Sequence, residues 1–269
     1  LGAMGYSTDN GLTWQNFPGR PFADARGGRI SVAANDTNNI VFVPRDTLNG
    51  VNKGNTPVYF TKDRGKTWTA AKGAPLGMIF GEFVYTFYQP LESDRAKPNT
   101  FYLWDRRDGR FYRSGDGGEN WSHVSTLPKQ SGAHFNQHWL RAAPGMAGEV
   151  WLAADDQGLF RSSDGGDTWT KFDGVTRAWR FGWGLPLPGR KNPTAYMMCK
   201  IAGDDIKQTV ALYRSDDMGA TWIRLNEASQ GWGQAITVNG DRQVAGRVYV
   251  GTNGRGIFYG VPAKTSTRN

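Results

Sequence analysis

The sequence predicts an all-β fold made of repeated four-stranded units, and three observations support this prediction. An octet of the form Ser/Thr-x-Asp-x-Gly-x-Thr/Asn-Trp occurs five times in the 269 residues. From the second octet onward, two further apolar runs precede each copy. The composition, with 36 glycines and 11 tryptophans, favours short strands and tight turns over helices.

The octets recur at a nearly constant interval. Their tryptophans are separated by 54, 53, 48 and 53 residues. The octets occupy residues 7–14, 61–68, 114–121, 162–169 and 215–222. A period of about 50 residues with four strands is the pattern of a β-propeller blade. We therefore predict about five blade equivalents.

Each octet is predicted to be a hairpin turn that ends in a tryptophan anchor. The Asp carboxylate accepts hydrogen bonds from backbone N–H groups of its own turn. Glycine at the fifth position adopts a positive φ without steric cost, and the tryptophan buries a large ring between neighbouring units. Five equivalent turns spread around a fold cannot converge on one catalytic or metal site. The octet carboxylates are therefore assigned a structural role: Asp9, Asp63, Asp116, Asp164 and Asp217.

The remaining strands are predicted from the apolar runs between the octets. The paired runs are 30–33 and 40–43, 83–87 and 101–104, 139–142 and 150–153, and 181–184 and 195–198. With the two strands of the octet hairpin, each pair completes a four-stranded blade.

The two ends of the chain predict partial blades. Residues 4–17 predict the outer part of one blade, and the runs 234–238, 247–251 and 256–260 predict the inner strands of another. We expect a propeller region over residues 1–260 and a C-terminal tail over 261–269, in a chain that begins within a fold. Two arrangements satisfy the open edges. Either the ends close a five-bladed ring, or the chain is part of a seven-bladed propeller.

Charge and cysteine content exclude little, but they favour a soluble surface without special partners. The net charge is +8, yet the basic residues are scattered and accompany no nucleic-acid recognition motif, so we expect no nucleic-acid partner. The one cysteine, Cys199, lies in a strand-like run and is predicted to be a core residue. No run approaches about 18 apolar residues, so no membrane span is expected. No signal peptide is recognised at the start, and no cofactor is expected.

The C-terminal motif carries a family resemblance. Residues 246–260, GRVYVGTNGRGIFYG, resemble the end of the glycoside hydrolase family 74 enzymes, the xyloglucanases. The segments 233–236, 144–153 and 213–226 are similar to the same family. The resemblance extends from the first octet to Gly260. It is specific at the C-terminus and generic at the octets, known as Asp boxes, which sialidases and sorting receptors also carry.

The resemblance implies a carbohydrate-active protein. Family members have two tandem seven-bladed propellers that grip a β-1,4-glucan backbone with xylose branches, and they invert configuration with one carboxylic acid and one carboxylate base. The family's motifs for these groups, R-T-D-x-G-G and G-D-x-x-G-F, are absent here. No catalytic residue is therefore carried over, and the N-terminal propeller of the same protein is the expected partner. The resemblance also implies xyloglucan or a related plant cell-wall β-glucan as ligand and a secreted or periplasmic location.

Candidate sugar-binding residues are those outside the strand and octet patterns. Sugar rings stack their C–H faces on aromatic rings and hydrogen-bond through their hydroxyls, although the same aromatics also suit packing between blades. The candidates are Trp179, Trp183, Trp232, Gln234, His138 and Asn136. His134 and His138 share a strand face, but without a third ligand we expect no metal site. The acidic pairs 155–156 and 204–205 lie in predicted turns, where Asp is ordinary.

Two other functions are alternatives to a part of a xyloglucanase. A self-closed propeller that acts only as a carbohydrate- or protein-binding module fits the same residues. A sialidase is disfavoured, because no R-I-P segment precedes the first octet.

Overall fold

The computed structural model describes residues 4–22, 27–45, 47–48, 51–52, 54–78, 88–129, 138–206, 209–227, 230–232 and 235–262. Over these ranges the chain forms β-strands joined by turns and contains no helix. Accordingly, the described residues include no helix long and apolar enough to span a membrane.

The strands form small sheets whose order follows the chain. The first sheet contains β1 (Gly5–Tyr6) and β2 (Gln15–Asn16). The second contains β3 (Gly28–Val32), β4 (Ile40–Pro44), β7 (Tyr59–Thr61) and β8 (Thr69–Ala70). Between β4 and β7 the chain forms a separate small hairpin of β5 (Thr47–Leu48) and β6 (Val51–Asn52). The third contains β9 (Leu91–Ser93), β10 (Phe101–Asp105), β11 (Arg110–Ser114) and β12 (Ser122–Thr126).

The later sheets repeat this order. One contains β13 (His138–Ala142), β14 (Val150–Ala154), β15 (Leu159–Ser162) and β16 (Thr170–Lys171). The next contains β17 (Val175–Gly184), β18 (Thr194–Ile201), β19 (Ala211–Ser215) and β20 (Ile223–Arg224). The last has three described strands, β21 (Ala235–Gly240), β22 (Val248–Thr252) and β23 (Ile257–Gly260).

This strand pattern confirms the predicted all-β propeller repeat of four-stranded blades. Within the described residues, the first sheet has two strands and the last has three. The division into a propeller region over 1–260 with partial blades and a tail over 261–269 stays a prediction. The predicted run 83–87 lies outside the described residues, and the first strand described in its sheet is β9. The hairpin β5–β6 was not predicted, because its strands have only two residues each.

The chain divides into two compact units. Unit 1 takes its described residues from 1–135, 145–150 and 162–169, and unit 2 takes them from 136–144, 151–161 and 170–269. A core of unit 1 gathers apolar residues from β4, β9 and β10, including Val41, Leu91 and Leu103. A core of unit 2 gathers Met198, Leu212 and Val250 from β18, β19 and β22. Each core is the apolar face of two or more sheets, as the alternation of strand side chains requires.

The octets form the predicted hairpins through one shared set of hydrogen bonds. In the octet 162–169, the Ser162 hydroxyl donates to Asp164 and accepts from the Gly166 amide. Asp164 also accepts from the amide and the hydroxyl of Thr168, at 3.0 and 2.6 Å. Equivalent bonds occur in the other four octets. The fifth-position glycine has a positive φ in every copy, between 75° and 95°.

The tryptophan anchors are not equivalent, and here one expectation fails. The Trp169 ring lies 5.0 Å from the Phe111 ring, and the Trp222 ring lies 6.4 Å from the Trp151 ring. Trp14, by contrast, is 70% exposed. The prediction that every octet tryptophan is buried is therefore wrong for the first octet.

Candidate functional site

The loops of unit 2 that connect β18 to β19 and β20 to β21 lie at the end of the sheet away from its octet turn. Successive strands of an antiparallel sheet run in opposite directions, so consecutive connections alternate between the two ends of the sheet. The octet 215–222 joins β19 to β20 at one end. The connections from β18 to β19 and from β20 to β21 therefore lie at the other end.

At this other end, unit 2 contains a pocket of about 380 Å³. Two indole rings, from Trp179 and Trp232, contribute to it, and both rings are half-buried and packed against the core. We call it the indole pocket. Its other lining residues include Met198, Val210, Asn226, Gln230 and Arg255.

Trp179 reaches the pocket through a β-bulge. Ala178 pairs with Cys199 and Arg180 pairs with Met198, so Trp179 is an extra residue without a pairing partner in β18. A bulge of this kind breaks the alternation of side chains and redirects the residue that it inserts. The Trp179 indole N–H donates to Asp155 Oδ1 at 2.9 Å, which fixes the orientation of the ring.

The loop that carries Trp232 is held by one asparagine and one arginine. Asn226 Oδ1 accepts from the Leu212 amide at 2.8 Å, and its Nδ2 donates to the carbonyls of Glu227 and Gln230. Arg255 Nη1 donates to the Gly231 carbonyl at 2.9 Å. These bonds fix the loop segment that immediately precedes Trp232.

The lining chemistry suits a neutral polyhydroxylated ligand. Indole rings offer apolar faces for sugar C–H groups, carboxamides both donate and accept, and a guanidinium donates to several oxygens. A largely apolar pocket with a few polar groups is the usual form of a small-ligand site. Among the residues that the structure describes, no carboxylate belongs to the pocket lining. Within the described residues, no group of three His, Cys, Asp or Glu side chains is placed to hold a metal ion.

The structure separates the six sequence candidates. Trp179 and Trp232 lie together in the indole pocket. Trp183 is 4% exposed, and its ring packs 4.8 Å from the Trp151 ring, so it belongs to the core. His138 is 2% exposed within β13. Gln234 and Asn136 lie outside the described residues.

Among the pocket residues that were not candidates, three carry carboxamide or guanidinium groups: Asn226, Gln230 and Arg255. Arg255 belongs to the 246–260 motif, and Asn226 ends the 213–226 segment, so the family resemblance covered both. Neither residue has a sequence pattern that marks it as a pocket residue, because polar residues in loops are common.

The octet carboxylates have the electrostatics of structural acceptors. Hydrogen bonds from the Thr13 hydroxyl and amide, and from Ser7, lower the pKa of Asp9 to about 2. The equivalent bonds from Thr67 and Thr61 lower the pKa of Asp63 to about 2. Carboxyl groups with such low pKa values stay ionised near neutral pH and are poor proton donors.

Comparison with known proteins finds that the chain is similar to a repeat family and to several xyloglucanases. A family model described as BNR/Asp-box repeat matches residues 6–16. A xyloglucanase of a Paenibacillus species is 33% identical over 267 residues, which are 97% of this chain and 23% of that protein. A xyloglucanase of Acetivibrio thermocellus is 35% identical over 263 residues, 97% of this chain and 27% of that protein. The solved GH74 xyloglucanase of Xanthomonas campestris matches with a TM-score of 0.77 and 28% identity, over 96% of this chain and 33% of that one. The chain thus spans 23% to 27% of the length of these two curated relatives.

Proposed function

Because xyloglucanases of glycoside hydrolase family 74 are homologues of this chain over 97% of its length, we propose that it supplies polysaccharide-binding surface to an enzyme acting on xyloglucan. The ligand is a β-1,4-glucan backbone with its branches. The indole pocket is the part of unit 2 that contacts it, with Trp179 and Trp232 as stacking platforms.

The observation that carries this proposal is the convergence of Trp179 and Trp232 on one pocket. The two residues are 53 positions apart in sequence, and both were singled out because they lie outside the repeat pattern. A β-bulge directs the first ring, and a hydrogen-bonded loop positions the second. Preorganised aromatic faces lower the entropic cost of binding a flexible chain.

We propose further that the catalytic acid and base lie outside this chain. Two features support this: the family's carboxylate motifs are absent, and the chain matches only about a quarter of its curated relatives. The remaining part, including an N-terminal propeller, would provide the acid and the base for hydrolysis with inversion. A cell-wall polysaccharide lies outside the cell, so we propose a secreted or periplasmic location.

Calorimetric titration of the purified chain with xyloglucan oligosaccharides tests the binding role. Trp179→Ala and Trp232→Ala are each expected to weaken binding by about tenfold, the effect of removing an aromatic anchor worth about 1.4 kcal/mol. Trp14→Ala is the matched control, because Trp14 is an exposed indole that does not line the pocket. Equal affinities for the wild type and both pocket variants would refute the assignment of the pocket.

A reducing-end assay on the same samples tests the location of the catalytic groups. We expect the chain to bind xyloglucan without releasing new reducing ends. Hydrolysis by this chain alone would contradict the proposal that the acid and base lie elsewhere. Binding without hydrolysis even when the rest of the enzyme is supplied would favour the alternative, a non-catalytic binding module.

A further inference from the structure

The acidic pair 155–156, which the sequence places in an ordinary turn, separates in the structure. Asp156 is exposed, whereas Asp155 is 5% exposed. Asp155 lies in the turn between β14 and β15, and it is not among the described residues that line the indole pocket. It also has a left-handed backbone, with a φ of +53°. A buried acid in a conformation that is uncommon for residues other than glycine calls for a structural or functional reason.

Three consecutive residues of β17 contact Asp155. The Asp155 amide donates to the Ala178 carbonyl at 2.8 Å, and the Ala178 amide donates to the Asp155 carbonyl at 2.9 Å. The Trp179 indole N–H donates to Asp155 Oδ1 at 2.9 Å, and Arg177 Nε lies 3.6 Å from the same oxygen. Asp155 therefore joins the turn of one sheet to the next sheet of unit 2 through its backbone and its carboxylate together.

These contacts lie at the β-bulge that turns Trp179 into the indole pocket. Ala178 pairs with Cys199 of β18 on one side and forms an isolated bridge with Asp155 on the other. The strand is therefore held from both sides at the residue before the bulge, and the next side chain is held by its indole nitrogen. An indole that is fixed at its backbone and at its N–H keeps one orientation, so its face is in place before a ligand arrives.

The corresponding turn in unit 1 indicates that the turn itself does not require this bond between sheets. Both turns join the second and third strands of their sheets, and Asp105 begins the turn between β10 and β11. The Asp105 carboxylate accepts from Arg107 Nε at 2.8 Å, two residues further along the same turn. An aspartate can thus serve such a turn locally, and the bond between Asp155 and Trp179 is a separate feature of unit 2.

We infer that Asp155 is a positioning residue for the polysaccharide ligand: it does not touch the ligand, but it holds the Trp179 indole in the orientation on which a sugar ring stacks. The inference rests on the proposed function, because it takes Trp179 as a stacking platform. The Arg177 guanidinium partly balances the charge of the buried carboxylate. Without the bond from the indole, the ring gains freedom that binding must remove again, so affinity falls although no ligand contact is deleted.

Calorimetric titration of the full chain with xyloglucan oligosaccharides tests this role. Asp155→Gly removes the carboxylate and keeps the left-handed backbone, because glycine adopts a positive φ without steric cost. It is expected to weaken binding by about three- to tenfold, the ordering cost of one side chain. Asp155→Asn keeps an acceptor oxygen for the indole, so its affinity should stay within about twofold of the wild type. Asp156→Gly is the matched control, the same substitution at the exposed neighbour, and should leave affinity unchanged.

A double-mutant cycle separates positioning from a general effect on the fold. Trp179→Phe keeps an aromatic face but has no N–H for Asp155 to hold. In this background Asp155→Gly should change affinity by less than about twofold, since the bond that it removes is already absent. Urea unfolding checks that each variant is folded under the conditions of the titration. An equal loss of affinity in both backgrounds would overturn the inference, because Asp155 would then act independently of the indole.

A second measurement needs neither a ligand nor a variant of Asp155. Hydrogen exchange is followed by NMR on the indole N–H groups of a chain that carries isotope-labelled tryptophan. The Trp179 indole N–H, assigned by its loss in Trp179→Phe, should exchange at least about tenfold more slowly than that of Trp14, which is 70% exposed. Asp155→Gly should remove this protection, and Asp155→Asn should retain it. Equal exchange of the two indoles in the wild type would overturn the inference even if Asp155→Gly failed to fold.

The outcomes distinguish this inference from the proposed function. A wild type that binds no oligosaccharide would refute the proposed function and the inference with it. If the wild type binds and Asp155→Gly binds as tightly, the inference alone is wrong and the assignment of the pocket stands. The inference is equally wrong if folded Asp155→Asn loses as much affinity as Asp155→Gly, because the role assigned to the residue is that of a hydrogen-bond acceptor.

Discussion

Replacing the fifth glycine of an octet tests how the octet packs in the structure. Gly166 has a φ of +95°, and a Cβ built on it would lie 2.1 Å from Cε1 of the Phe111 ring. Alanine at this position therefore meets two separate penalties. A left-handed backbone costs an L-residue about 1–2 kcal/mol, and forcing a methyl group into a packed ring costs about 1–3 kcal/mol. We expect Gly166→Ala to lower the free energy of unfolding by about 2–5 kcal/mol.

Two other glycines of unit 1 separate these penalties. Gly145 has a φ of +75°, but a Cβ there meets no atom within 4 Å, so Gly145→Ala measures the backbone cost alone, about 1–2 kcal/mol. Gly115 has no left-handed φ and equally open surroundings, so Gly115→Ala should change stability by less than about 0.5 kcal/mol.

Urea unfolding followed by tryptophan fluorescence gives the three differences from the shifts of the midpoint. The expected order of destabilisation is Gly166→Ala, then Gly145→Ala, then Gly115→Ala. Equal losses for the first two would refute the packing of Gly166 against Phe111. Equal losses for all three would refute both the packing and the left-handed backbone.

Two further predictions concern ionisable groups. Burial raises the pKa of Asp164, but the hydrogen bonds from Thr168 and Ser162 outweigh this effect and lower it to about 2. Because the folded-state pKa lies below the unfolded value of 3.8, these bonds stabilise the fold above about pH 4 and are lost as the pH falls toward 2. Asp164→Ala should therefore lower the free energy of unfolding by about 1 kcal/mol at pH 7, after allowance for solvent screening. Urea unfolding at lower pH should show a progressively smaller loss. A difference in unfolding free energy between the wild type and the variant that does not change with pH would contradict this. Burial also raises the pKa of the Cys199 thiol well above its usual value. We expect a thiol reagent to label Cys199 only after unfolding, which mass spectrometry measures. Rapid labelling of the native chain would disprove the burial of this thiol.

The indole pocket shows where inference from sequence becomes insufficient. Trp179, Trp183 and Trp232 were equal candidates, because all three lie outside the octets. The structure buries Trp183 against Trp151 and directs Trp179 into the pocket. The cause is the bulge at Trp179, one of two register shifts in β17, and a two-residue side-chain period read from sequence cannot locate such a bulge.

The octets were readable from sequence because their chemistry is local. Asp164 bonds to groups no more than four residues away, and the positive φ of Gly166 is a property of the turn itself, so eight residues are sufficient to specify the conformation of each turn. The period of the octets then determined the blade repeat. Contacts between distant segments could be decided only by the tertiary structure, because they depend on where separate loops and sheets meet in space. These contacts bring Trp179 and Trp232 into one pocket and leave Trp14 exposed.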